Sequence, residues 1–259
     1  MTVDALLLYE AHTSTMDGNR KEKRVFMDKR CLRYGILSLL LLSVGLFPAT
    51  GSAAPQGRYT VLIDAAHGGG EPGVVSEKIR EKDLTLGLAL LIRQEAQKTG
   101  NIQVQLTRSA DKEMAVAERI KAIEAQKPDC VLSLHVNAGF GKKAAGYEVY
   151  FPGFRQTAAG GAESAAIIKD MAVNRHLNDS VRLAQPIQAA LETVFPRKGR
   201  GLRDAPSPLL EGVSLPGLVV EVAFLTQPDE KKKLTNAETQ KAIARALVKG
   251  LREYFQSTP

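Results

Sequence analysis

The sequence predicts a single α/β domain whose mostly parallel, twisted sheet is covered by helices on both faces. Two observations lead to this fold class. Apolar segments of strand length alternate along the chain with amphipathic segments of helical length. Several strand-like segments are apolar at nearly every position, as in strands buried on both faces of a parallel sheet. The chain has 259 residues, of which 44% are hydrophobic and 24% charged, so it can bury one sizeable core.

The predicted strands are short and are bounded by polar or glycine-containing segments. In chain order they are Tyr59–Asp64, Ile102–Arg108, Asp129–Asn137, Gly146–Phe151 and Leu215–Leu225. The predicted helices carry apolar residues at intervals of three and four positions. They are Asp83–Gly100, Lys112–Gln126, Glu163–Leu177, Ser180–Phe195 and Asn236–Phe255. Asn236 is predicted to cap the last helix, because its side chain can accept a hydrogen bond from a free amide of the first turn.

The first 53 residues have the organisation of a secretory signal. A basic stretch, Met27–Gly35, leads into the apolar run Ile36–Phe47, and small residues then precede a cleavage point predicted after Ala53. The apolar run is shorter than the roughly 20 residues of a membrane span, although a retained anchor is the alternative. We therefore expect translation to start at Met27, and an exported catalytic domain of residues 54–259 in the periplasm or cell envelope. No stable membrane anchor is expected after cleavage.

Composition restricts the class of partner. The formal net charge of +7 suits an anionic envelope polymer, whereas an aromatic content of 5% and the absence of tryptophan give little support to nucleic-acid binding. Cys31 leaves with the predicted signal, so Cys130 has no partner for an internal disulfide. Cys130 is expected to pack within its strand.

Three polar residues stand where apolar ones are expected. His67 follows the first strand and begins a run of three glycines, which suits a backbone that passes close to a bound group. His135 ends the third strand, and Glu221 lies inside the apolar segment LVVEVAF. His135 has a structural alternative as a core histidine, and Glu221 has one as a glutamate paired with a structural arginine. Together, two histidines and a carboxylate suggest zinc with a fourth position for water, although their spacing matches no short zinc motif.

Several ordered segments resemble the zinc-dependent N-acetylmuramoyl-L-alanine amidases, the cell-wall amidases of type 3. IDAAHGGGEPG resembles the Asp-Pro-Gly-His-Gly-Gly opening of that family, and REKDLTL resembles its Glu-Lys element. LSLHVNA resembles the Ser-x-His-x-Asn-Ala strand, GYEVYF its Gly-x-Glu-Val-Tyr successor, and LPGLVVEVAFLTQPDE the strand of the catalytic glutamate. The likeness extends from Tyr59 to Phe255. It implies a phosphorylase/hydrolase-like α/β fold.

The resemblance also implies roles for single residues. The zinc ligands fall on His67, Glu81 and His135, and the catalytic glutamate falls on Glu221. Glu77 is a rival for the carboxylate ligand, because it also precedes a lysine. Glu81 is preferred because EKDLTL leads directly into a helix, whose dipole favours a carboxylate at its N-terminus.

The implied reaction is hydrolysis of the amide that joins the lactyl group of N-acetylmuramic acid to L-alanine of the stem peptide. Zinc-activated water would attack, and Glu221 would carry the proton. Asn137 and Arg203 are candidates for orienting the substrate. Asp111 is expected to form a structural ion pair with Arg108 or Arg119. The alternatives are a zinc peptidase acting within the stem peptide and a catalytically silent wall-binding module.

The segment 152–179 is longer than in minimal family members. Some relatives carry here a regulatory helix that blocks the zinc until an activator protein removes it, and Glu163 or His176 would then be the residue to reach the metal. The favoured alternative is a surface helix at the substrate groove. Two further departures are Ala65-Ala66 in place of Pro-Gly and Ala223 where glycine is common.

Overall fold

A six-stranded sheet forms the centre of the computed structural model. The described residues are 59–139, 144–153, 164–196 and 198–257, and for residues 164–175 only the backbone is described. The predicted signal at residues 1–53 and Glu163 lie outside the described residues.

The strands of the described residues form this sheet and one small hairpin. In chain order they are β1 (Tyr59–Ala65), β2 (Val75–Ser76), β3 (Ile79–Arg80), β4 (Ile102–Leu106), β5 (Cys130–Asn137), β6 (Tyr147–Phe151), β7 (Gly199–Asp204) and β8 (Gly217–Phe224). The order across the sheet is β4-β1-β5-β8-β6-β7, and β2 pairs with β3. β4, β1, β5 and β8 are parallel, β6 is antiparallel to β8, and β7 is parallel to β6. The prediction of a mostly parallel sheet is confirmed.

Helices cover the two faces of the sheet unequally. In chain order those of the described residues are α1 (Glu81–Gln97), α2 (Val116–Gln126), α3 (Ser164–Glu192), α4 (Pro208–Glu211), α5 (Pro228–Thr235) and α6 (Ala237–Ser257). α1, α3 and α6 contribute side chains to the larger apolar core on one face, and α6 packs against both α1 and α3. α2 and α4 contribute to a smaller cluster with Leu62 and Val131 on the other face. Helices on both faces were predicted, and this is confirmed.

Successive side chains of a strand point to opposite faces of the sheet, so each set packs against different helices. Leu132 and Leu134 of β5 point into the larger core, whereas Val131 belongs to the smaller cluster. Because successive side chains point to opposite faces, His135 lies on the same face as Val131. β8 pairs with β5 so that Glu221 stands next to His135. Both residues therefore lie on the second face, near the carboxyl ends of the parallel strands.

The structure differs from the predicted elements in the middle of the chain. The two helices predicted between Glu163 and Phe195 are one helix, α3, because the polar residues at the expected break continue it. Ser180 donates from its hydroxyl to the His176 carbonyl at 2.9 Å and accepts from the Gly217 amide at 2.9 Å. β7 was not predicted, because its residues are mostly exposed and include two glycines.

Three local predictions have clear outcomes. Asn236 caps α6, since its Oδ1 accepts from the Thr239 amide at 2.9 Å. Cys130 is a free and fully buried residue of β5, and burial raises the pKa of its thiol. Ala223 is buried with a φ of 68°, a region that favours glycine. No helix among the described residues has the length and apolar character needed to cross a membrane.

Candidate active site

Two histidines and one glutamate meet at the carboxyl edge of the sheet. Nε2 of His67 lies 3.2 Å from Oε2 of Glu81, and Nδ1 of His135 lies 3.1 Å from Oε1 of the same carboxylate. One nitrogen or oxygen from each of the three residues can be chosen so that all lie within 4.8 Å of one another. The three ligands named by the family resemblance, separated widely along the chain, are thus brought together.

Glu81 is fixed from several sides. It is the first residue of α1 and is buried, and its two oxygens accept from the amides of Val74 and Val136, each at 2.9 Å. Burial opposes its ionisation. The hydrogen bonds from His135, His67 and the two amides outweigh that cost and hold the pKa of the Glu81 carboxyl well below its usual range. The site therefore holds a preformed carboxylate.

Glu77 lies apart from this cluster. Its side chain is 74% exposed and pairs with Lys231 of α5. Glu77 lies in the turn between β2 and β3, and β3 separates it along the chain from Glu81. The structure thus places Glu81, and not Glu77, between the histidines.

The turn that carries His67 is braced by Arg119 of α2. His67 has a φ of 62°, a left-handed conformation that is strained for a residue with a Cβ atom. The Arg119 guanidinium donates to the His67 carbonyl at 2.7 Å and to the Ala65 carbonyl at 2.9 Å. It also pairs with the buried Asp64 at 2.6 Å. These contacts fix the turn before the imidazole.

Asp111 has a different partner from the one expected. Its carboxylate binds Lys82 Nζ at 2.7 Å and accepts from the Gly69 amide at 2.7 Å. The prediction of an ion pair between Asp111 and Arg108 or Arg119 is wrong. Arg108 instead donates to backbone carbonyls, among them that of Ala65 at 2.9 Å. The reason is that Asp111 lies beside Gly69, whereas Arg108 and Arg119 are both engaged by the carbonyl of Ala65 at the end of β1.

The glycine run makes its closest approaches to protein. A Cβ atom on Gly68 would stand 2.2 Å from the Lys112 carbonyl oxygen, and one on Gly69 would stand 2.6 Å from the Glu113 amide nitrogen. Gly73 is the glycine that borders the ligands, since a Cβ there would lie 2.6 Å from both Glu81 and His67. The run of three glycines therefore approaches Lys112 and Glu113 of the protein itself, and the expectation that it passes close to a bound group stays a prediction. Gly73, which borders His67 and Glu81, lies outside that run.

Glu221 lies beside the cluster with an unused oxygen. Its Oε2 is buried and has no hydrogen-bond partner among the described residues. Burial raises the pKa of Glu221 to about 7, with the nearby charge of His135 acting in the opposite direction. A protonatable carboxyl group thus stands next to two imidazoles, and no arginine of the described residues forms the ion pair with it that the structural alternative requires.

Glu148 is a buried residue of the site that the sequence analysis did not single out. It lies directly opposite Glu221 in the antiparallel pair of β6 and β8. Its Oε2 accepts from Asn137 Nδ2 at 2.8 Å and from the Tyr150 hydroxyl. The signal that could have found it is a glutamate inside an apolar strand, the same signal that drew attention to Glu221.

A polar surface extends from this cluster across the sheet. We call it the polar face and define it by residues whose side chains share the second face of the sheet with His135. They are Asn137, Glu148, Tyr150, Arg200, Arg203 and Glu221. The described helix that packs on β6 and β7 is α3, which lies on the opposite face. The predicted orienting residues Asn137 and Arg203 both contact Glu148, at 2.8 Å and 3.7 Å.

His176 lies at the opposite edge of the sheet from the cluster. It precedes Ser180 by one helical turn, and Ser180 bonds to Gly217 at the start of β8. Further along α3, the Gln188 carbonyl accepts from the Tyr147 hydroxyl near the far end of β8. α3 therefore runs in the same direction as β8, and His176 lies beyond the start of that strand. Its distance from Glu221 is consequently greater than the length of β8 between Gly217 and Glu221. The other candidate, Glu163, lies outside the described residues.

The donor set fits a zinc ion. Zinc in proteins binds imidazole nitrogens and carboxylate oxygens at about 2.0–2.2 Å in a tetrahedron, which holds ligand atoms about 3.4 Å apart. The contacts of Glu81 with His67 and His135, at 3.2 Å and 3.1 Å, are close to that separation. Two histidines and one carboxylate also leave a fourth position, as in catalytic sites.

Comparison with known proteins places the chain among cell-wall enzymes. The profile of the N-acetylmuramoyl-L-alanine amidase family matches residues 61–253. The uncharacterized protein YqiI of Bacillus subtilis is 29% identical over 85% of this chain and 96% of its own length. The amidase AmiC of Escherichia coli is 26% identical over 80% of this chain and 55% of its own length. The crystal structure of N-acetylmuramoyl-L-alanine amidase from Clostridium difficile 630 is 28% identical, with a TM-score of 0.66 over 79% of this chain and 100% of that one.

Proposed function

Because the chain belongs to the N-acetylmuramoyl-L-alanine amidase family, we propose that it hydrolyses the amide between N-acetylmuramic acid and L-alanine of the peptidoglycan stem peptide, with one zinc ion per chain. The observation that carries the proposal is the meeting of His67, Glu81 and His135 beside a glutamate whose buried oxygen has no partner in the part of the chain that the structure describes. A wall-binding module without activity has no need of such a group. The complete set therefore favours an enzyme over the silent alternative.

His67, Glu81 and His135 would hold the metal. Zinc bound there would polarise the scissile carbonyl and make a water molecule more acidic. The protein supports this set by presenting Glu81 already ionised and by holding the His67 turn through Arg119. Both features keep the ligands in place before a substrate arrives.

Glu221 would move the proton. It would take a proton from the attacking water as the water oxygen bonds to the carbonyl carbon. It would then deliver that proton to the alanine nitrogen as the carbon–nitrogen bond breaks. Burial raises the pKa of the Glu221 carboxyl, which suits a group that must both take up and release a proton. No nucleophilic side chain is required, which agrees with the burial of Cys130 in the core.

Asn137 and Arg203 would orient the substrate on the polar face. Both are tied to Glu148, so their positions relative to Glu221 depend on one buried carboxylate. Peptidoglycan is the proposed partner, and we propose an exported protein of the cell envelope. A predicted activator acting on segment 152–179 stays a prediction, while the position of His176 disfavours that residue as a block on the metal.

The test compares digestion of purified peptidoglycan by the wild type and by Glu221→Gln, with bound zinc measured in both. The glutamine side chain keeps the size of the glutamate but cannot take up a proton. We expect both proteins to hold zinc and only the wild type to release free stem peptides, leaving muramic acid without peptide. General acid–base catalysis contributes about 10²- to 10⁴-fold, so the loss of rate should fall in that range.

Two outcomes would contradict the proposal. Equal cutting by both proteins would mean that another group carries the proton. Peptides trimmed at internal bonds, with alanine still attached to muramic acid, would favour the zinc peptidase alternative.

A further inference from the structure

Two arginines of β7 converge on one buried carboxylate. Nη1 of Arg200 lies 3.0 Å and Nη1 of Arg203 lies 3.7 Å from the same oxygen, Oε1 of Glu148. Glu148 is only 3% exposed, and its other oxygen accepts from Asn137 and Tyr150. The carboxylate is therefore held from both sides and fixes where the two guanidinium groups lie.

The pair carries more charge than Glu148 can neutralise. One carboxylate balances one guanidinium, and each guanidinium has five N–H donors. The side chains of Arg200 and Arg203 are 42% and 47% exposed, so part of each guanidinium is open to a ligand on the polar face. Arg200 also lies over the ring of Phe224, with 5.9 Å from its guanidinium carbon to the ring centroid. The excess positive charge of the two arginines is thus held in place by Glu148 and, for Arg200, also by the ring of Phe224.

The arginines belong to β7, two strands from the proposed proton carrier in β8, but both guanidinium groups reach back to Glu148 of β6, the strand next to β8. Glu148 is directly opposite Glu221 in β6 and β8, whereas His135 flanks Glu221 on its other side in β5. Neighbouring strands are about 4.8 Å apart. A peptide whose scissile carbonyl lies at Glu221 and which runs across β6 would therefore bring the residue after alanine over the arginines.

We propose that Arg200 and Arg203 form a subsite for a carboxylate on the residue that follows alanine in the stem peptide, an inference that rests on the proposed amidase function. A guanidinium binds a carboxylate through two parallel charge-assisted hydrogen bonds. A carboxamide has the same shape but only one acceptor and no charge. The subsite therefore selects stem peptides in which this carboxyl group is free over those in which it is amidated.

The test uses a matched pair of muramoyl dipeptides that differ only in a free α-carboxylate or a carboxamide on the second residue. A hydrogen bond to a charged group stabilises by about 1.5–3 kcal/mol, so we expect the wild type to favour the acid about tenfold or more in kcat/KM. The double variant Arg200→Gln/Arg203→Gln should bring that ratio to about one. Arg182→Gln is the matched control, since Arg182 is 46% exposed but lies on α3, away from the polar face. It should keep the ratio of the wild type.

A binding measurement keeps the inference separate from catalysis. The Kd of each dipeptide is measured for the zinc-loaded Glu221→Gln protein. The dipeptide with the free carboxylate should bind more tightly than the one with the carboxamide, and adding Arg203→Gln should reduce this difference. A ratio near one in the wild type, or an unchanged ratio in the double variant, would overturn the subsite. Hydrolysis of neither compound would overturn the proposed function, and the Kd values would then decide on the subsite alone.

Discussion

The two faces of the central sheet use the same strands for different purposes. On the first face, α1, α3 and α6 cover an apolar surface that includes Leu132 and Val220. On the second face, α2 and α4 cover only a small apolar cluster, and polar side chains such as Glu148 and Glu221 occupy the surface beyond it. The central strands thus stabilise the fold with the side chains on their first face and form the site with the alternating side chains on their second face.

This division explains how a site of buried charges can be tolerated. Polar groups taken out of water destabilise the fold unless they are paired. Asp64 is paired with Arg119, and Glu81 accepts hydrogen bonds at both oxygens. Glu221 is not paired in this way, because its buried Oε2 has no hydrogen-bond partner among the described residues. The larger apolar core on the first face stabilises the fold and helps to offset the cost of this buried carboxyl group.

The largest expected effect comes from removing Arg119. Arg119→Met would leave Asp64 buried without its ion pair and free the His67 carbonyl. We expect the free energy of unfolding to fall by about 4 kcal/mol. Zinc affinity should fall about 10- to 100-fold, because the ligand turn loses its brace. Urea unfolding and zinc titration of the same preparation measure both effects. Zinc affinity equal to that of the wild type would show that the brace is not needed.

A core substitution on the first face should separate the two properties. Leu132→Ala removes a fully buried side chain from the larger core, three residues before His135. We expect a loss of about 3 kcal/mol in the free energy of unfolding. Below the unfolding temperature, zinc affinity and the rate of hydrolysis should stay within about twofold of the wild type. The reason is that Leu132 packs on the first face, whereas the cluster lies on the second, and substitutions without shared contacts act independently. A parallel loss of zinc affinity would mean that the two faces are coupled.

The pH dependence of stability tests the unpaired state of Glu221. Burial raises its pKa from 4.5 to about 7, so the folded protein holds this proton more tightly than the unfolded chain. The resulting contribution to stability is present below pH about 4.5 and is lost as the pH rises through about 7. Between these limits, zinc-free wild type should lose about 2–3 kcal/mol relative to zinc-free Glu221→Gln. A constant difference would show that Glu221 is paired or solvated.

The smallest effect is expected at Cys130. Cys130→Ala shortens a side chain that is fully buried in β5 on the first face. A cost of about 1 kcal/mol is typical of such a change, and the rate of peptidoglycan hydrolysis should not change. Loss of hydrolysis by the folded variant would introduce a thiol into the mechanism.

Local patterns predicted the fold better than the contacts within the site. β1, β5 and β8 were predicted because each is a short segment of mostly apolar residues, and such a segment is buried whatever its neighbours in the sheet are. β7 escaped prediction because it is a mostly exposed edge strand stabilised by pairing with β6. The merging of two predicted helices into α3 depended on Ser180, whose bonds involve a distant strand.

His67 and His135 could be singled out from sequence because each lies at or just after the end of a strand, whereas Glu81 could be proposed as the third ligand only through the family resemblance. Pairings between charged residues were harder to predict. Asp111 binds Lys82, and Arg119 binds Asp64. These partners come from different segments of the chain, and only the tertiary fold brings them together. Glu148 could have been found from its place in an apolar strand, but its partners depend on how β6, β7 and β8 are ordered.

The most direct test of the account is the zinc content of the folded protein, measured together with hydrolysis before chelation, after chelation and after zinc is restored. His135→Ala serves as the matched variant, because it removes one ligand from the cluster. The account predicts about one zinc per wild-type chain, loss of hydrolysis on chelation and its return with zinc, and far weaker binding by the variant. Hydrolysis that survives complete removal of the metal, or equal zinc binding by the variant, would contradict it.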